Sequence, residues 1–139
     1  MAEETIKFGI IGLGHIGARH AHMIQTNLGA ELVAVADIKN VEDLAMQNFQ
    51  VPLYESVEEM LMQHSNIQVV CIATPNGYHC QHAIQALSMG CHVVVEKPMA
   101  LSTEDCDAMI LEAQKRNKKI FCVMQNRFSP PSQWIKNLI

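Results

Sequence analysis

Three short groups of residues carry types and spacings suited to chemistry. The first is Gly12-Leu13-Gly14-His15-Ile16-Gly17, a G-x-G-x-x-G string directly after the apolar run Ile6 to Ile11 and directly before a helical stretch. In that setting Gly12 permits a tight turn, Gly14 lets a pyrophosphate approach bare backbone, and Gly17 lets the helix pack close to the strand. The helix start then offers free N–H groups and partial positive charge to phosphates. Asp37 closes a second apolar run 20 residues after Gly17. A carboxylate there accepts hydrogen bonds from both adenosine ribose hydroxyls and repels a 2′-phosphate, which favours NAD over NADP. Lys39, two residues on, is the feature that speaks for NADP.

The other two groups close later strands. Ala73-Thr74-Pro75-Asn76 follows the apolar run beginning at Val69, with Asn76 expected to cap the next helix through its side chain and to offer its amide to a ribose or pyrophosphate. His79 follows one helical turn along. Glu96-Lys97-Pro98 closes the run His92 to Val95, and Pro98 is expected to hold Lys97 extended. An ammonium at that position suits a substrate hydroxyl and its developing alkoxide, so Lys97 is the candidate catalytic residue. A solvated strand-end lysine and a packed histidine are the structural alternatives.

The elements that must position these groups alternate between strand and helix. Apolar runs read as strands at Ile6 to Ile11, Glu31 to Ala36, near Leu53 and Tyr54, Val69 to Ala73, His92 to Val95 and Ile120 to Met124. Helical spacing lies at His15 to Thr26, with Ile16, His20, Met23 and Ile24 on one side. It recurs at Val41 to Asn48, Val57 to His64, Tyr78 to Met89, which stops at Gly90, and from a Ser102 cap to about Asn117. Parallel strands need crossover connections, so continuous apolar strands alternating with helices predict an α/β fold, a doubly wound parallel sheet of the Rossmann kind in a single domain. The domain is expected over 1–125. At Phe128 to Ser132 the pattern breaks around Pro130 and Pro131, and 126–139 reads as the start of a connection to a further domain.

Composition narrows the partners. Ten Lys plus Arg against fourteen Asp plus Glu give a net charge of -4, which argues against nucleic acid and anionic membrane and for a small molecule. No apolar run is long enough to span a bilayer, and the first seven residues lack signal-peptide character. Five cysteines without a C-x-x-C pair suit a reducing compartment, the cytoplasm. His20-x-His22 and His79, Cys80, His82 lack metal-ligand geometry, and no metal is expected. The basic run Lys115, Arg116, Lys118, Lys119 complements a helix C-terminus.

Taken together, G-I-I-G-L-G-H-I-G-A-R-H, the Ala36-Asp37 strand end, A-T-P-N-x-x-H and E-K-P resemble the Gfo/Idh/MocA oxidoreductases over the whole chain. What the resemblance implies is a cofactor site at Gly12, Gly14, His15, Ile16, Gly17, Asp37, Ile38, Thr74, Pro75, Asn76, His79, Glu96 and Lys97, with Asn126 and Arg127 near the nicotinamide end. It implies NAD, a sugar, sugar-nucleotide or polyol substrate, and a homo-oligomer when intact. It also implies a second α/β domain beyond Ile139 that binds substrate and supplies the base, so that this chain alone holds cofactor without turnover. A stand-alone dinucleotide-binding or redox-sensing module and an S-adenosylmethionine-dependent methyltransferase are the competing readings, with E-K-P counting against the latter.

Overall fold

The computed structural model describes residues 4–39 and 45–139. Six strands form one sheet: β1 (Ile6–Ile11), β2 (Ala30–Ala36), β3 (Leu53–Tyr54), β4 (Val69–Ile72), β5 (His92–Val95) and β6 (Ile120–Cys122). Every pairing is parallel and the spatial order is β3-β2-β1-β4-β5-β6. The order in which successive strands are added reverses between β1 and β4. A crevice opens there beyond the carboxyl ends of the strands, the place where open parallel sheets bind ligands.

Alternate strand residues feed two cores, as the two-residue period of a strand requires. Ile11, Ala34, Ala36, Val70, Ile72, Val93 and Val95 face α2 (Val57–Gln63), α3 (His79–Ser88) and α4 (Thr103–Lys115). Ile10, Val35 and Cys71 face the other way, toward α1 (His15–Gln25) and the 3-10 turn Ala45–Asn48. Both faces are thus covered, which is why the buried stretches of these strands are apolar.

Helix ends follow local chemistry. Ser56 and Ser102 cap α2 and α4 by accepting from the backbone N–H of Glu59 and Asp105, each cap satisfying one N–H left free by the helix. Gly90 takes φ +89°, a conformation open to glycine, just after α3.

At four segments the structure adds to the sequence reading or corrects it. The buried stripe of α1 is Gly17, Ala21 and Ile24, while Ile16 and Met23 are exposed. The helix lies so close to β1 that its small-residue side is the one that fits. Asn76 makes no side-chain cap; a 3-10 turn, Asn76–Tyr78, closes instead through Tyr78 N–H donating to the Pro75 carbonyl. Of the helical stretch expected over Val41 to Asn48, only the 3-10 turn lies among the described residues. Finally, Pro130 and Pro131 do more than end a strand. They open α5 (Pro130–Leu138) behind a Ser129 cap, since proline at a helix start forfeits only N–H groups that would be free anyway.

Candidate functional site

The glycine turn at the end of β1 is built by contact rather than by flexibility. Gly12 has φ +85°, and a Cβ there would lie 2.9 Å from the Ala73 backbone. A Cβ on Gly17 would fall 1.8 Å from the Gly12 carbonyl oxygen, so α1 can seat on β1 only with glycine at that position. Gly14 differs: nothing lies within 4 Å of where its Cβ would be. Its bare backbone faces open space at the first turn of α1, whose N-terminus has neither a side-chain cap nor an acidic residue. Free N–H groups beside a space that a Cβ would narrow fit a phosphate.

Asp37 is fixed against this turn. Its Oδ2 accepts from Leu13 N–H at 2.7 Å and its Oδ1 from Lys39 N–H at 2.9 Å. Its own N–H donates to the Tyr54 carbonyl, so β1, β2 and β3 are joined at their carboxyl ends. A carboxylate oxygen has two acceptor sites, and each retains one for a ligand hydroxyl.

Two pockets flank the turn. One, of about 690 Å³, is lined by Gly14, His15, Asp37, Ile38, Pro75 and His82 among others. Ile38 is 91% exposed at its rim. Tyr78 stacks on His82 with ring centroids 5.8 Å apart, and Thr74 Oγ1 hydrogen-bonds His82 Nδ1 at 3.1 Å. Burial holds the His82 imidazole below its usual range, with the Glu58 charge opposing that shift. The other pocket, about 490 Å³, is lined by His20, Asn76, Glu96, Lys97 and Gln125 among others. Ile16, Ala73 and Thr74 border both, so the two pockets form one trough across the crevice.

The second pocket holds a residue that sequence reasoning passed over. His20 Nε2 lies 2.8 Å from Glu96 Oε1, tying α1 to the end of β5. Its position three residues beyond Gly17, one turn into the helix and on the crevice side, was the available signal. Glu96 Oε2 accepts from the Lys97 N–H at 3.3 Å, and the Lys97–Pro98 peptide is cis. The Lys97 side chain is exposed on the pocket wall. Behind it, Cys71 is buried, which together with the Glu96 charge pushes its thiol up to about 12 and leaves it inert at neutral pH.

The remaining candidates divide. Thr74, Pro75 and Asn76 lie on the trough, with Asn76 and Pro75 exposed. His79 is wholly buried beneath it, with both ring nitrogens engaged by backbone carbonyls. Asn126 and Arg127 lie in the turn after β6 and line neither pocket; Arg127 sits over the Phe128 ring at 6.0 Å. Among the described residues no group of three or more His, Cys, Asp or Glu could hold a metal ion, and no helix is long and apolar enough to cross a membrane.

A family model described as an oxidoreductase family with an NAD-binding Rossmann fold matches residues 6–124. The glucose-6-phosphate 3-dehydrogenase of Bacillus subtilis is 35% identical over 96% of this chain and 37% of its own length. An inositol 2-dehydrogenase of Salmonella typhimurium is 30% identical over 97% of this chain and 41% of its own. Among solved structures, the WlbA dehydrogenase of Chromobacterium violaceum, in complex with NADH and UDP-GlcNAcA, superposes with a TM-score of 0.91. It is 31% identical and covers 99% of this chain and 40% of that one. The chain therefore spans about two fifths of the length of these relatives.

Proposed function

Because the chain belongs to the Gfo/Idh/MocA oxidoreductases, the family with an NAD-binding Rossmann fold whose model it matches, we propose that it is the cofactor-holding domain of an NAD-dependent dehydrogenase. The intact protein transfers a hydride between nicotinamide and a hydroxyl-bearing carbon of a sugar, sugar nucleotide or polyol. The substrate class follows the names of the relatives, which act on glucose 6-phosphate and inositol or hold a UDP-sugar acid.

The observation that carries the reading is the fixed carboxylate of Asp37 at one end of a trough whose other end carries Lys97. Asp37 takes the adenosine ribose hydroxyls and repels a 2′-phosphate, so NAD is the cofactor and NADP the poorer ligand. Ile38 offers its exposed side chain to the adenine, and His15, Ile16 and the bare Gly14 backbone flank the pyrophosphate. When bound, NAD supplies the hydride acceptor. Thr74, Pro75, Asn76 and Glu96 border the nicotinamide half, with Asn126 and Arg127 approaching it from the turn after β6. Lys97 donates a hydrogen bond to the substrate hydroxyl and favours its alkoxide character as the proton leaves. No general base is assigned within the chain, which by itself binds NAD without turnover.

We also propose that the intact protein is a cytoplasmic homo-oligomer. Five unpaired thiols support the reducing address, and the unpaired edge of β6 with its half-exposed Phe121 supports association.

Fluorescence titration tests the assignment. NADH is expected to bind the chain at least about tenfold more tightly than NADPH, and Asp37→Ala to narrow that gap. Equal affinities in the unmutated chain would remove the ribose role of Asp37. In the full-length enzyme Lys97→Ala is expected to lower kcat by about 10²-fold with the NADH dissociation constant nearly unchanged. Weaker NADH binding with kcat retained would make Lys97 a cofactor contact.

A further inference from the structure

His79 is the one polar or charged side chain among the described residues that is fully buried, at 0% exposure. Its Nδ1 lies 2.8 Å from the Pro98 carbonyl oxygen and its Nε2 2.9 Å from the Thr74 carbonyl oxygen. Both partners are backbone carbonyls, which can only accept. A neutral imidazole carries one N–H, so one contact would set a nitrogen lone pair against an oxygen lone pair with no water between. The imidazolium carries two N–H groups and serves both.

Resting on the dinucleotide reading above, we propose that His79 is held as the imidazolium and acts as a positioning residue. It is a double-donor clasp that fixes the Thr74-Pro75-Asn76 turn against the Glu96-Lys97-Pro98 turn. These turns follow β4 and β5 and form neighbouring walls of the trough. The last bond between these strands is Glu96 N–H donating to the Ile72 carbonyl at 3.1 Å, so the ring spans a gap that strand pairing leaves open beyond it. His79 touches no cofactor; it sets the spacing at which Thr74 and Lys97 meet one.

The charge of the clasp sits at the head of α3, where the helix dipole opposes a cation. Two charge-assisted bonds to carbonyls act against that dipole. The neighbouring charged groups are His82 on the same helix, Glu96 and Lys97 at the end of β5, and Arg19 and His20 on α1. With both N–H groups in place both turns are held, and loss of either donor releases one turn.

The test is a side-chain histidine ¹H–¹⁵N spectrum of the chain near pH 6, with the His79 resonances identified by their loss in His79→Gln. Both ring nitrogens are expected at protonated shifts; one nitrogen at the unprotonated shift overturns the clasp. NADH titrations of the unmutated chain and of His79→Gln under the same conditions form the second arm. His79→Gln, whose amide donates to one carbonyl only, is expected to bind about tenfold more weakly. Unchanged affinity in a folded His79→Gln would show that the clasp does not set the trough and would overturn the proposal. If His79→Gln fails to fold, the spectrum of the unmutated chain, assigned through variants of the other six histidines, decides alone. If the unmutated chain binds no NADH, the dinucleotide reading fails separately while the spectrum still judges the ring.

Discussion

The turn between β1 and α1 and the segment from β6 to α5 stand at opposite extremes of how a sequence constrains its structure. In the first, Gly17 has no room for a methyl group, Gly12 needs φ +85°, and Asp37 locks Leu13 from the neighbouring strand. In the second, α5 has no buried residue at all, and Trp134, Ile135 and Leu138 are exposed. Both are short segments next to a strand end. The difference is that one is specified by backbone sterics within the domain and the other only by its own cap and prolines.

The largest effect expected from that contrast is at Gly17. A Cβ 1.8 Å from the Gly12 carbonyl cannot be relieved by rotating a side chain, because the obstructing atom is backbone. Gly17→Ala is expected to cost about 3 kcal/mol, the upper end for overpacking, measured by urea unfolding, and to disrupt NADH binding with it. A near-neutral Gly17→Ala would mean that α1 does not seat on β1 this closely.

Gly14→Ala separates binding from packing within the same turn. Its Cβ meets nothing within 4 Å and its φ of -70° suits any residue, so stability should change by no more than about 1 kcal/mol, the usual scale for losing a glycine cap. NADH affinity should nevertheless fall by at least about tenfold, because the new methyl occupies the space assigned to the pyrophosphate. Unchanged affinity would show that no phosphate approaches there.

The same contrast explains what was legible beforehand. Strand positions, their parallel sense and a ligand site at the carboxyl edge followed from apolar runs and glycine punctuation, because buried parallel strands admit few other residues. The buried face of α1 was not legible because hydrophobic spacing marks where bulky residues lie, and this interface selects small ones. The role of His79 was hidden because its partners are the carbonyls of Thr74 and Pro98, and carbonyls carry no side-chain signature. The His20–Glu96 contact joins residues 76 positions apart, beyond any local pattern. For α5, Ser129 followed by two prolines was a readable helix start, obscured by treating proline only as a breaker.

The smallest effect is expected at Trp134, and it is the sharpest check on the exposed end of the molecule. A buried tryptophan or leucine replaced by alanine costs about 2–5 kcal/mol, so Leu87→Ala in α3, where Leu87 is fully buried, should fall in that range. Trp134 is 66% exposed, and α5 depends on its Ser129 cap and on Gln133 donating to the Arg127 carbonyl rather than on core contacts. Trp134→Ala in the chain should therefore change unfolding free energy by no more than about 0.5 kcal/mol, as for a surface site. It should leave the tryptophan-free variant with unaltered NADH affinity, since no α5 residue borders the trough. A loss above about 2 kcal/mol would require buried area. The apolar row of α5 would then be packed in solution, either against this chain or against a second copy. Repeating the unfolding at several protein concentrations distinguishes the two, because only association makes the loss depend on concentration.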